Sequence, residues 1–367
     1  MSGKIDEAKD AHRQALSLLG APAATAASRP DVRLELARTY YLLGVRVPAN
    51  PGMRPPAPDG GRPPPRPSSR EGDRPVPPVG PGEPPPRPGL RPGGPFGQDG
   101  GLGPPGDLEA RRKYLDQAIV LLKGLLQDQP SSPPCRHLLA LCCREMSPRG
   151  GQAGQTAYDN AVDILTGLAK DFPQALDYQF DLCETYAAVD SRGPLPKRED
   201  LTRVEARLRK ALEISRELLR QQPKVPEYLA SQSHIYHKLG EVTRRMRRPD
   251  DAEQYDRKAV EMQAALAKEF PEVTTYQVWL AAFRNSLADA LILRGNLNGA
   301  RPLLETSISQ TERLLQDNPT MWYLHALLMD ANRLLASVLQ QTKESDLAAK
   351  ATRAAEDHSR KLHPGAK

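Results

Sequence analysis

The chain has 367 residues, of which 37 are proline and 27 glycine, and a formal charge of +6; this is length enough for two ordinary domains. Charges of both signs alternate through stretches such as "DLEARRKYLDQ" and "KESDLAAKATRAAED", the pattern of a solvated helical surface, and only 5% of residues are aromatic, which argues against a nucleic-acid partner. No apolar run approaches a membrane span, and "MSGKIDEAKDAHRQ" lacks the apolar core of a secretory signal, so a cytoplasmic location and no membrane partner are expected.

In chain order, residues 1–45 are rich in Ala, Leu, Arg and Glu, a helix-forming composition. From 46 to 107 the character changes: 21 prolines and 14 glycines lie between Pro48 and Gly106, with Phe96 the sole aromatic. Such a segment cannot bury enough apolar surface to offset its ordering entropy, and it reads as a disordered or polyproline-II linker. Its pentapeptide "PPPRP", at 63–67 and again at 84–88, reads as spacer, with docking into a polyproline-reading groove as the alternative. Residues 108–367 return to helix formers, without β-branched runs or hairpin signals at strand spacing. The chain is expected to be all-α.

Within this last block one phrase recurs. "LLQDQP" ends at Pro130, "LAKDFP" at Pro173, "LLRQQP" at Pro223, "LAKEFP" at Pro271 and "LLQDNP" at Pro319, with a degraded copy, "SRKLHP", at Pro364. The intervals are 43, 50, 48, 48 and 45 residues, a repeat period. Five residues before each proline stands Leu125, Leu168, Leu218, Leu266 or Leu314; seven before that stands Ala118, Ala161, Ala211, Ala259 or Ser307. That spacing puts a large and a small residue on one helical face, the leucine to fill a hollow and the small residue to admit a neighbouring helix. Each leucine is worth roughly 1.5–3 kcal/mol of burial, and enlarging the alanine costs about 1–3 kcal/mol. The proline closes the helix. A second helix follows, opened by Tyr178, Tyr228 or Tyr276 five residues on, or by Trp322 and Tyr323 in the last unit. Turn signals at "RRPDD" (247–251) and "RGNLNG" (294–299) separate the two helices of a unit, with Asp250 and Asn298 as expected N-caps.

This unit resembles the tetratricopeptide repeat. Tyr236, Leu239 and Gly240 match the aromatic-x-x-Leu-Gly of its first helix, and Ala252 and Ala259 the two alanines of its second. The frame holds again at Leu287, Ala288, Leu291, Gly295, Ala300 and Ser307, at Leu335, Ala336, Leu339, Ala348 and Ala355, and at Tyr40, Leu43 and Gly44. Two additions of seven residues, two helical turns each, stretch the family's 34-residue period to about 48 and predict helices of about 20 residues. The long form is similar to the arrays that follow serine/threonine kinase domains in planctomycete-type bacteria. The glycine-rich loop, His-Arg-Asp and Asp-Phe-Gly motifs of a kinase are not found in the sequence. Gly3, Ala8 and Ala15 fit a loop and second helix, so the chain opens halfway through a repeat: either sequence continues upstream, the reading followed here, or a solitary helix caps the array and exposes Leu16 and Leu19. The resemblance implies a right-handed α-solenoid of about five long hairpins, interrupted between the helices of one unit, after Gly44 and before Leu108. It also implies protein or peptide partners in a concave groove lined by the first helices. The alternative is a regulatory subunit or detached tail of a kinase or other signalling protein.

On that wall the frame places His234, His237, Glu241, Arg244 and Arg245, then Asn285 and Asp289, then Arg333, Ser337 and Gln340, as exposed positions for an extended, partly acidic peptide. His234 and His237 have a spacing that metal sites use but lack a third ligand, and read as surface positions. Cys135, His137, Cys142 and Cys143 look like a zinc cluster superficially; the spacing of seven between Cys135 and Cys142 favours core packing. Arg244, Arg245, Arg247 and Arg248 complement the carbonyls at a helix end. No constellation suggests nucleophilic, general acid–base or phosphate chemistry, so a non-catalytic protein without cofactor or metal is expected. Far-ultraviolet circular dichroism is expected to show more than about half helix, well above the globular average; a lower value would sink the solenoid.

Overall fold

The computed structural model describes residues 29–45, 105–147, 151–188 and 198–362. Residues 1–28 with Gly3, Ala8, Ala15, Leu16 and Leu19, the segment 46–104 with both PPPRP pentapeptides, and Pro364 lie outside the described residues. Among the described residues there are twelve helices and no strand. They are α1 (Pro30–Gly44), α2 (Pro105–Asp128), α3 (Pro133–Met146), α4 (Gly151–Asp171), α5 (Leu176–Ala187), α6 (Arg198–Gln221), α7 (Pro226–Arg245), α8 (Pro249–Glu269), α9 (Thr274–Leu293), α10 (Leu297–Asp317), α11 (Tyr323–Gln341) and α12 (Ser345–Leu362).

Each helix packs against the next in sequence, giving an α-solenoid of six hairpins, one more than the sequence spacing indicates. The first hairpin joins α1 to α2 across the proline-rich segment: Arg33 pairs with Asp128 at 2.9 Å, the Arg111 guanidinium donates to the Gly44 carbonyl at 3.1 Å, and Tyr40 stacks on Tyr114. First helices also touch one another directly, α1 with α3, α3 with α5, α5 with α7, α7 with α9 and α9 with α11. Second helices make no contact of that extent, so the row of first helices lies on the inside of the curve.

The repeated phrase has the role its spacing suggests. Leu125, Leu168, Leu218, Leu266 and Leu314 are buried, and Ala118, Ala161, Ala211, Ala259 and Ser307 are fully enclosed. The small residues admit backbone at close range: the Ser307 hydroxyl donates to the Ala281 carbonyl at 3.1 Å, and the Cys183 thiol reaches the Ala211 carbonyl at 3.2 Å. In the twin hexamers Phe172 and Phe270 set their rings edge-on to Tyr178 and Tyr276, while the Gln179 and Gln277 amides each donate at 2.9 Å to the proline carbonyl. All four cysteines are buried thiols. Cys135, Cys142 and Cys143 belong to the apolar cluster of α1–α4, and Cys183 to the cluster of α5–α9.

Four expectations change. In the last unit the place of the opening tyrosine is taken by Leu324, fully buried, because it stands five residues after Pro319 as the tyrosines do after theirs, whereas Trp322 is 46% exposed. Helices α3 and α5 span only 14 and 12 residues, not about 20. Each ends just before helix-breaking residues, Pro148 and Gly150 in one case and Gly193, Pro194 and Pro196 in the other: proline supplies no backbone N–H, and glycine is a poor helix former. The N-cap of α10 is Asn296, whose side chain accepts from the Gly299 amide at 3.0 Å, rather than Asn298. Asp250 lies in the first turn of α8 and pairs with Arg294 across the hairpins at 2.6 Å.

The turns of the last three hairpins share a left-handed residue at one register: Arg247 (φ 59°), Gly295 (φ 75°) and Lys343 (φ 65°). At Gly295 a Cβ would meet nothing within 4 Å, so the cost of a side chain there is backbone strain alone. Gly295→Ala is expected to destabilise by about 1–2 kcal/mol, read as a shift of the urea midpoint at unchanged m-value.

Candidate functional site

The inner row is held together by polar groups running between first helices. Between α3 and α5, the Asp181 carboxylate takes His137 Nε2 at 2.7 Å and the Arg144 guanidinium at 3.1 Å. Burial opposes the Arg144 charge, but Asp181, Tyr41 and Glu145 together hold the proton on, and its pKa is raised. Between α5 and α7, the Ser231 hydroxyl donates to Glu184 at 2.5 Å and the Lys238 ammonium to the Ala187 carbonyl at 2.7 Å.

The α7–α9 junction is the densest. The His234 ring lies 4.1 Å from Trp279 and 5.6 Å from Phe283, and His237 stacks on Phe283 at 4.6 Å. Burial pushes the His234 pKa well below its ordinary value, with Lys238 and His237 adding to the effect. Behind them Asp256, fully enclosed on α8, receives the Arg244 guanidinium at 2.8 Å. The same guanidinium donates to the Ser286 carbonyl at 2.9 Å and reaches Asp289 at 3.1 Å. His237 Nδ1 is 3.6 Å from Asp256, an electrostatic neighbour beyond hydrogen-bond reach. Burial raises the Asp289 carboxyl pKa, which Arg244 opposes and Asp256 reinforces. Gly240 is what lets Asp256 in, since a Cβ there would lie 2.4 Å from its carboxylate. Stripping Asp256 of Arg244 would leave a buried charge uncompensated, a loss of about 3–5 kcal/mol in comparable pairs.

Of the wall residues expected from the sequence, His234 is half-buried with its ring against Trp279, and Asn285 is buried with its amide on the Leu327 carbonyl of α11 at 3.2 Å. His237, Arg244 and Asp289 are half-buried and engaged in the junction just described. The reading of His234, His237, Arg244 and Asn285 as exposed is corrected: successive first helices are in contact, so these spacings turn toward the next helix, whereas the Asp289 side chain keeps 37% of its surface exposed at the edge of the junction. Glu241 and Arg245 stay half-exposed and pair with each other at 2.6 Å. Arg333 and Gln340 are exposed, with Ser337 beside them, on a groove between α11 and α12.

At the expected helix end, Arg248 bridges Glu205 and Asp251. His137, once grouped with the cysteines, is committed to Asp181, and among the described residues no three His, Cys, Asp or Glu side chains gather as a metal would require. Sequence spacing gave no sign of the His325–His358 pair, whose Nδ1 atoms lie 2.9 Å apart across the last hairpin, one ring donating and the other accepting. Burial lowers both pKa values. The two residues are 33 apart on different helices, a spacing unlike any repeat interval. Among the described residues no helix is long and apolar enough to cross a membrane.

Residues 233–272 and 280–320 match the family model of the tetratricopeptide repeat. Over these two stretches the chain is similar to the tetratricopeptide repeat, as its spacing suggests. No curated protein matches the sequence. Among solved structures, it is similar to BtubC (BKLC) from P. vanneervenii, at 16% identity over 71% of this chain and 93% of that one, with a TM-score of 0.47. It is also similar to a thermophilic tetratricopeptide protein from Thermus thermophilus, at 19% identity over 62% and 92%, TM-score 0.30. A third is a tetratricopeptide repeat protein from Parabacteroides merdae, at 16% identity over 68% and 92%, TM-score 0.31.

His234 gives the fold a pH dependence of defined sign. Its folded pKa is depressed below the ordinary 6.5, so below that pH the unfolded chain takes up a proton that the folded chain refuses. The stabilisation is complete above about pH 6.5 and falls on acidification by up to about 1.4 kcal/mol per pH unit for this one group. Urea melts at pH 7.5 and 5.5 are expected to show the loss, and His234→Phe to remove part of it, His325 and His358 supplying the remainder.

Proposed function

We propose that the protein is a non-catalytic interaction scaffold that holds an extended, partly acidic segment of a protein partner along its inner wall. One observation carries this reading: α7, α9 and α11 touch directly, so their outward positions form one continuous surface across three units instead of separate patches. Glu241 and Arg245 stand on that surface as a half-exposed pair. His234, His237, Arg244 and Asn285 support the wall from within, setting the spacing of its helices, and Asp289 stands at its surface beside Arg244. A peptide on this wall meets side chains already fixed by packing, which reduces the entropy lost on binding.

The test exchanges the exposed pair. Glu241→Arg with Arg245→Glu keeps the ion pair and reverses the order of charge along the wall. Stability is expected to stay within about 0.5 kcal/mol, while the partners recovered with the unaltered chain by cross-linking are lost. Retention of the full set of partners would remove the inner wall from the binding surface.

A further inference from the structure

Across the last hairpin the His325 and His358 rings lie tilted against each other, centroids 5.2 Å apart and planes at 33°, with 2.9 Å between their Nδ1 atoms. One Nδ1 donates and the other accepts. A doubly protonated pair cannot keep this bond, because both Nδ1 atoms would then carry hydrogen. Both rings are half-buried. Burial and the Lys361 ammonium oppose a positive charge on either ring, and His325 opposes one on His358. Among the described residues Asp357 alone favours it, on His358, and that carboxylate already pairs with Arg360. No described charge of α9 or α10, the helices packed on α11, acts on the pair, Glu312, Arg313 and Asp317 at the near end of α10 included.

The remaining hold on α12 is slight. Its buried residues are Ala348, Ala351 and Ala355, methyl groups where α8 buries Leu266 and α10 buries Leu304 and Leu314. The turn before it is tied by Arg301 to Glu344, at the other end of the helix from His358. The two histidines stand at positions that hold a different kind of residue in each hairpin, six after the closing proline and three after the small residue of the second helix. In α7 and α8 these are Leu229 and Met262, which line one cleft, and in α9 and α10 they are Gln277 and Gln310. Neither pair takes up a proton.

We propose that the His325–His358 bond is a latch that keeps α12 on α11 at neutral pH and releases it on mild acidification, uncovering Ala336 and Leu339. The separated rings take up protons near pH 6.5 that the closed hairpin refuses, so the hold is complete above that value and weakens as pH falls below it.

Hydrogen exchange of the full chain, followed by mass spectrometry at pH 7.5 and 5.5 with each rate divided by the intrinsic rate of the same amides, reads the latch. Amides of α12 are expected to lose about tenfold in protection, the value for one ring that refuses a proton over this interval. His325→Gln with His358→Gln, and separately His325→Leu with His358→Met, give these positions the residues of the preceding hairpins. In both variants α12 is expected to keep at pH 5.5 the protection it has at pH 7.5; circular dichroism checks that the fold is intact. His234→Phe is expected to leave the α12 loss in place, which separates a local release from a general weakening through the α7–α9 junction. Unchanged α12 protection between the two pH values overturns the proposal, as does a loss that persists in both double variants or disappears in His234→Phe.

Discussion

A hairpin of two amphipathic helices leaves one flank uncovered, and in this chain that flank is closed by the first helix of the following unit. Everything else in the array depends on this arrangement. It requires a small residue wherever backbone must approach, which is why Ala118, Ala161, Ala211, Ala259 and Ser307 have no exposed surface. It also requires the first helices to meet along an inner row, which carries polar side chains that cannot be left without partners. Asp181 and Glu184 answer that requirement with a group from a neighbouring first helix, and Arg244 with the Asp256 carboxylate of α8.

The junction of α7, α8 and α9 shows how such a row is made specific. Arg244 reaches three groups on two helices, and its geometry admits only one displacement of α9 along α7. An apolar seam of leucines would tolerate sliding by a turn; a buried guanidinium with two carboxylates would not, because a slip strands charge in a poorly solvating interior. Aromatic rings from α9 close the junction from the inner side and keep water from competing for the ions.

Much of the fold was legible in the sequence because the same residue kinds recur at the same distances: the leucine, the small residue and the proline each do one mechanical job that few other side chains can do. The last unit was misread in spite of that regularity: the spacing from the closing proline falls on Leu324, which enters the core, while the reading took the conspicuous Trp322 and Tyr323. The wall was less legible. Helical periodicity says that His234, His237 and Arg244 share a face, but the same face can look at solvent or at the next helix, and only the distance between successive hairpins decides. Glycine at 240 was visible as a family mark; its physical cause, the room needed by Asp256, depends on a contact sixteen residues away in another helix. The His325–His358 pair carries no periodic signal at all.

The first hairpin gives the array an order in time. Five of the six hairpins join helices that are near neighbours in sequence, whereas α1 and α2 are separated by residues 45–104, and Arg33 meets Asp128 from 95 positions away. Contacts between close neighbours form early, since little chain entropy is lost before they are rewarded; distant ones wait. The inner hairpins can therefore nucleate anywhere along the array and spread to their neighbours, with α1 arriving last, as a door that closes on a room already built.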